Sequence, residues 1–417
     1  MGADTKRMEI FLVPGFLGFE TLGELDYFLE VEPLLQKKLG ALGIEATVHA
    51  TQTLPAGSLR RRAMKLAEEV AMRHSPDADS VHFVGHSTGG LDIRVMLSPG
   101  SSLDSGSDLA TSMSEAEYAN FVDAKEKTKT AMSLATPHHG TPIADIAMRL
   151  AFDRVLRGAD AVLANGLARN LVSHGLRAAG MAASLVERLP GNWSFLDWVG
   201  SEVLAEHPDD VLKYLTQVGS DVGALRNLTH ECMDLARALL VDRPGVEYGS
   251  VVTATRSPRG PIATDDLLLY VNTLLFRRAW SAAADADPNY PYPDRLSELR
   301  DRYANDLESE LDVGQLDIDG QTNDGVVPSA SQIYGRVVGV FASDHLDCVG
   351  HYPRTLEDGT HVSGWVRSGA SFNEARFELL WGRIAGFAAI SARAKKGAGS
   401  RGARRRSTAA GSASAKP

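Results

Sequence analysis

Three groups of residues in this chain have the types and spacing to do acyl-transfer chemistry together. The first is Gly85-His86-Ser87-Thr88-Gly89. It follows the apolar run Val81-His82-Phe83-Val84 and precedes Gly90 to Leu97, which reads as a helix with Leu91, Val95 and Met96 inward. Strand, Gly-x-Ser-x-Gly and helix make a nucleophile elbow, a sharp turn that lifts the serine hydroxyl clear of a sheet. A Cβ at Gly85 or Gly89 would clash with neighbouring backbone in such a turn. The bare pattern also arises by chance, and the plain alternative is a Gly-rich turn with a solvated serine.

A serine nucleophile needs a general base, an anion to orient that base, and donors for the oxyanion. Beyond an elbow the acid and base are expected in the order Ser, Asp/Glu, His. Asn323-Asp324-Gly325-Val326-Val327-Pro328 and then Ser343-Asp344-His345-Leu346-Asp347 supply that order. Asn-Asp-Gly is also a common turn, so Asp324 alone decides nothing. His345 directly follows a strand at Val337 to Ala342, which favours it over His351 and His361. Pro14-Gly15-Phe16-Leu17-Gly18 follows the first strand and is otherwise a simple Gly-rich turn. In the functional reading, the N–H groups of Phe16 and Thr88 hold the oxyanion.

Positioning these residues takes alternating elements. Strands are expected at Met8 to Val13, Ile44 to His49, Val81 to Val84, Thr130 to Leu134, Tyr248 to Thr255 and Val337 to Ala342. Helices are expected at Tyr27 to Leu39, Leu59 to Met72, Leu267 to Trp280 and Phe372 to Ile390. Such alternation implies an α/β protein with a mostly parallel sheet covered on both faces. Ser98 to Thr128, polar and charged, reads as a surface insertion. Residues 143–243 are long, helical in pattern and apolar, and read as a cap over the mouth of the sheet. The core halves are then 1–142 and 244–392, the second with an insertion at 257–319.

The 417 residues carry a net charge of −10, unevenly spread. From Arg393 on there are eight cations and no acid, so the rest carries −18. This Ala/Gly/Ser/Lys/Arg tail, 393–417, reads as disordered, and a role for nucleic acid would rest on it alone. No apolar run approaches the ~20 residues of a membrane span. Met8 to Val13 runs at once into Pro14-Gly15, without a signal-peptide cleavage pattern. Cys232 and Cys348 sit in no metal or redox pattern and read as free thiols. A cytoplasmic protein is the expectation.

Taken together, the chain resembles the bacterial true lipases and related esterases of the α/β-hydrolase fold. The resemblance is carried by Val13 to Gly18, Gly85 to Arg94, Ala135-Thr136-Pro137-His138-His139-Gly140-Thr141-Pro142, Asn323 to Pro328 and Asp344 to Asp347. It implies Ser87 as nucleophile, Asp324 as acid, His345 as base, Phe16 and Thr88 as oxyanion residues, and a structural role for His138. The expected function is carboxylic-ester hydrolysis of lipase type through an acyl-enzyme, with no required cofactor; the apolar cap points to a lipid or other apolar ester with a long or bulky acyl group, met in transient contact with a lipid surface. Pro14 stands where the family usually has His before Gly. Members with structural calcium use an Asp two residues after the base, which makes Asp347 a weak calcium candidate. They continue Glu-Val-Asn-Gln, whereas Cys348-Val349-Gly350-His351 follows here. The same triad would also serve a polyester depolymerase, a thioesterase or an acyltransferase, and a non-catalytic partner-binding protein is the distant alternative.

Overall fold

A computed structural model describes residues 7–16, 21–22, 25–101, 103, 109, 112–148, 223–258, 262, 267–284, 297, 320–355, 359, 361–362 and 364–393. Its strands are β1 (Arg7–Val13), β2 (Thr21–Leu22), β3 (Leu25–Asp26), β4 (Glu45–Ala50), β5 (Ser80–His86), β6 (Thr128–Leu134), β7 (Glu247–Ala254), β8 (Arg336–Ala342), β9 (Arg354–Thr355) and β10 (His361–Val362). Its helices include α1 (Val31–Gly40), α2 (Leu59–Arg73), α3 (Thr88–Leu97), α4 (Glu115–Lys127), α5 (Gly223–Asn227), α6 (His230–Leu239), α7 (Leu267–Ala284) and α8 (Glu374–Arg393).

Six strands form one sheet in the order β4-β1-β5-β6-β7-β8, and every pair in it is parallel. Two-residue periodicity explains how β1 is covered on both sides. Met8, Ile10 and Leu12 join one core cluster with Val31, Leu35 and Leu39 of α1 and Phe377, Leu380 and Trp381 of α8. Phe11 and Val13 face the other way, into a cluster with Ala63, Leu66 and Val70 of α2, Met96 of α3 and Phe121 of α4. The chain leaves β1 toward β4, crosses back to β5 and then builds outward. The order therefore reverses between β1 and β5. Ligands of open parallel sheets bind beyond the strand carboxyl ends at such a switch point. Pro14 to Phe16 leave β1 there, and Ser87 leaves β5.

Several boundaries differ from the sequence reading. The helix expected from Tyr27 begins at Val31, because Glu30 takes a left-handed φ of 62° that a continuous helix cannot contain. Tyr27 is left in the preceding loop. The stretch 98–128 is more than surface. Ser114 and Glu117 form a reciprocal capping box that starts α4. Leu103, Leu109, Phe121 and Ala124 are buried in the α2-side cluster. Most of the expected cap, 149–222, lies outside the described residues, as do much of 257–319 and all of 394–417.

The described residues from Gly223, at the end of the expected cap, are tied to the core. The Asn227 side chain accepts the N–H of Leu59, the first residue of α2, at 3.0 Å. The Ala56 carbonyl accepts the Ala224 N–H at 3.0 Å, and Leu228 accepts that of Thr141 at 3.0 Å. Leu228 and Met233 pack on Leu59, Leu91 and Ala144. Among the described residues no helix is long and apolar enough to cross a membrane.

One charged pair sits inside the fold. Arg62 of α2 and Asp92 of α3 are fully buried, with Nη2 2.8 Å from Oδ2. Burial pushes the Asp92 carboxyl up to about 6, against the opposing pull of Arg62. Arg62 also donates to the Leu54, Pro14 and Gly15 carbonyls.

Two stability measurements follow. Phe121→Ala should lower the urea-unfolding free energy by about 3–5 kcal/mol; a loss below ~1 kcal/mol would put α4 outside the core. Arg62→Ala strands the Asp92 carboxylate and should cost about 3–5 kcal/mol in the same measurement. A near-neutral result there would mean the buried pair is not holding α2, α3 and the β1 loop together.

Candidate active site

At the end of β5 the backbone turns through Ser87 at φ 53° and ψ −128°. That region is strained for any residue with a side chain. It carries the chain straight from strand into α3, with Ser87 as the N-cap. The Leu134 carbonyl accepts the Ser87 N–H at 2.8 Å and fastens the turn to β6. Close packing explains the flanking glycines: a Cβ at Gly85 would lie 2.4 Å from the Gly90 nitrogen, and one at Gly89 2.3 Å from the Val13 oxygen.

The loop after β1 lies against this turn. A Cβ on Gly15 would meet the Ser87 Cβ at 2.5 Å, so only glycine allows the approach. The loop is held from both sides. Arg62 Nη2 donates to the Pro14 carbonyl at 3.0 Å and to the Gly15 carbonyl at 2.9 Å. The Gly15 N–H donates to Tyr27 Oη at 2.8 Å. Phe16 follows and lines a cavity together with Ser87 and Thr88. Thr88 opens α3, where the first N–H groups lack intrahelical partners and favour negative charge.

Asp324 is fully buried and its carboxylate is enclosed by donors. Oδ1 accepts the N–H groups of Val326 at 3.0 Å and Val327 at 2.8 Å. Oδ2 accepts from Thr253 Oγ1 at 2.8 Å, Gln332 Nε2 at 3.2 Å and His345 Nδ1 at 2.8 Å. Thr253 is near the end of β7, so the sheet itself braces the acid. The Asp324 carbonyl also accepts the His345 N–H at 3.0 Å, which fixes the histidine by backbone as well as ring. With Nδ1–H committed to Asp324, a neutral His345 ring keeps its lone pair on Nε2.

Ser87, Thr88, Phe16 and His345 line one cavity of about 320 Å³. Asp324 is hydrogen-bonded behind it. Ser87 and His345 are not hydrogen-bonded to each other; such contacts are often long without substrate. Most of the remaining lining is apolar, with Ile143, Leu225, Leu228, Val326, Leu346 and Val349 among it. His351 also lines the cavity, but its Nε2 donates to the Tyr27 carbonyl at 3.1 Å. Burial lowers its pKa to about 4. His361 is exposed and bonded to Thr355. His138 is buried away from the cavity lining, against Ser133 at 3.0 Å and stacked on Tyr334.

Asp347 does not fit a calcium site. Its carboxylate turns toward Asp344, whose N–H it accepts at 3.4 Å, while Asp344 Oδ1 is taken by the N–H groups of Leu346 and Asp347. Burial pushes both carboxyls up, and Asp344 pushes Asp347 further. Calcium needs about six to eight oxygen ligands, and no group of three or more His, Cys, Asp or Glu able to hold a metal ion occurs among the described residues.

Arg62, Tyr27, His86, Thr253 and Gln332 were not singled out by sequence. Arg62 had a signal: it falls on the buried stripe of α2 with Leu59, Ala63, Leu66 and Val70, where a cation demands a buried partner. The others act across sequence separations that local pattern does not report.

No protein-family model matches the chain. Over 97 residues it is 36% identical to a triacylglycerol lipase of Vibrio cholerae serotype O1, a match spanning 23% of this chain and 30% of that relative. Among solved structures, lipase 1 of Pelosinus fermentans aligns at 16% identity and TM-score 0.49, covering 91% of this chain and 98% of that one. Staphylococcus hyicus lipase aligns at 16% identity and TM-score 0.47, covering 94% and 98%. EstA of Clostridium botulinum aligns at 18% identity and TM-score 0.46, covering 93% and 87%. The parallel sheet with its switch point between β1 and β5, and the serine elbow closing β5, are the arrangement of the α/β-hydrolase fold.

Proposed function

We propose that this protein is a serine ester hydrolase of lipase type, acting on esters with apolar acyl groups. The observation that carries the reading is the Asp324–His345 pair, 2.8 Å apart, whose histidine lines the same cavity as a Ser87 held in a strained elbow. Ser87 Oγ attacks the acyl carbonyl and His345 Nε2 takes its proton. Asp324 holds Nδ1–H and stabilises the imidazolium; its other donors fix the carboxylate in place. The Phe16 and Thr88 N–H groups take the oxyanion, each donor typically worth about 10²–10³ in rate. His345 then returns the proton to the departing alcohol. Water, activated by the same histidine, releases the acid from the acyl-enzyme.

The cavity lining supports an apolar acyl group. Its 320 Å³ is at the small end of ligand pockets, which run from about 300 to 1,000 Å³. Leu225 and Leu228 come from the returning end of the cap region, so that region contributes to acyl binding. Sequence identity with a triacylglycerol lipase is in keeping with this substrate class.

One kinetic series tests the reading. Wild type should hydrolyse p-nitrophenyl esters with kcat/KM rising as the acyl chain lengthens until the cavity is filled. Ser87→Ala should lose at least about 10⁴-fold in kcat, and Asp324→Asn about 10⁴-fold through the wrong histidine tautomer. Full activity in Ser87→Ala would refute the mechanism. Faster turnover of thioesters than of matched oxygen esters would overturn the substrate class.

A further inference from the structure

His86 precedes the elbow serine and has no part in the proposed mechanism, yet it is fully buried and both ring nitrogens are engaged. Nε2 lies 2.8 Å from the backbone carbonyl of His345, and Nδ1 lies 2.7 Å from Tyr27 Oη. A carbonyl only accepts, so Nε2 carries the proton. Burial, reinforced by His345, holds the His86 pKa well below its usual value, so the ring has one proton and Nδ1 is an acceptor. The Tyr27 hydroxyl therefore donates to Nδ1. Its oxygen in turn accepts the Gly15 N–H at 2.8 Å. Every donor and acceptor in this chain is set by the chemistry of its end groups.

The chain begins at Gly15, next to Phe16, and ends at His345. It joins the loop carrying one oxyanion donor to the loop carrying the base, and passes through the residue before the nucleophile. A second set of contacts fastens the same two loops. The Val349 carbonyl accepts the Leu29 N–H at 3.0 Å, and His351 Nε2 donates to the Tyr27 carbonyl at 3.1 Å. Gly350, at φ 106°, sits where a Cβ would come 2.2 Å from the Leu29 oxygen. Tyr27 to Leu29 thus forms a strap lying against the turn that follows His345.

We propose that Tyr27 and His86 are positioning residues that set the oxyanion loop and the general-base loop as one unit, through the chain Gly15 N–H to Tyr27 Oη–H to His86 Nδ1 and His86 Nε2–H to the His345 carbonyl. The inference rests on the proposed ester hydrolysis. A shift of about 1 Å in either loop costs turnover more than ground-state binding, because the oxyanion and the transferring proton exist only on the way to the acyl-enzyme.

The test is a double-mutant cycle on p-nitrophenyl butyrate hydrolysis with Tyr27→Phe, His86→Leu and the double variant. Each single variant should lose about 10- to 100-fold in kcat, with KM within about threefold of wild type. The double variant should be no worse than the poorer single, since either change breaks the same chain. Should His86→Leu fail to fold, His86→Gln replaces it and should recover part of the loss by donating an amide N–H to the His345 carbonyl. Losses that multiply in the double variant, a loss confined to KM, or a Tyr27→Phe enzyme within twofold of wild type would overturn the proposal. An inert wild type would instead sink the ester-hydrolase reading on which it rests.

Discussion

Ser87 holds φ 53° and ψ −128°, a backbone state that costs a residue with a side chain about 1–3 kcal/mol. Such a state persists only where its surroundings leave no alternative. Here the strand before it is buried at every position and the helix after it is buried along almost its whole length. Gly85 and Gly89 allow backbone to approach from both sides at distances no side chain would permit. The Ser87 N–H is tied to β6 through Leu134. The turn is therefore over-determined by the sheet, and the Ser87 hydroxyl inherits its direction from the core. Gly15 completes the arrangement by bringing the β1 loop onto the serine, which is what a switch point between two parallel strands makes room for.

Two buried charges flank that turn, and each is handled by complete satisfaction. Arg62 uses its guanidinium on Asp92 and on three backbone carbonyls. Asp324 accepts from two backbone N–H groups, two side chains and His345. An unpaired charge at either place would cost several kcal/mol. The consequence is directional. Arg62 fixes the side of the β1 loop facing α2, while Tyr27 fixes it from the other side, and the Phe16 N–H is held between them. Asp324 fixes the ring of His345, and the backbone bond between the same two residues fixes its loop. Rigid elements, not the loops themselves, carry the geometry.

Much of the fold was legible because its signals are local. Alternating burial of Met8, Ile10 and Leu12 against Phe11 and Val13 follows from strand period alone, and the stripe through Leu59, Leu66 and Val70 from helix period. The candidate nucleophile, acid and base stood out by motif and order, and His345 prevailed over His351 because it follows a strand directly. What was not legible is non-local. Thr253 and Gln332 meet Asp324 only once β7 and the segment before β8 are folded together. Tyr27 reads as the start of a helix until the left-handed Glu30 is known, and that one backbone angle frees it to reach Gly15 and His86. The stretch 98–128 is polar on average, yet its few apolar residues, Leu103, Leu109 and Phe121, are buried, so composition misled where position mattered.

The central claim is that the geometry around Ser87 makes its hydroxyl a nucleophile. Reaction of the whole protein with a fluorophosphonate probe, read by intact mass and by peptide mapping, tests it most directly. The account predicts a single adduct, on Ser87, formed rapidly in the wild type and far more slowly when His345 is replaced by Gln. No adduct, or an adduct on another serine with Ser87 untouched, would contradict it.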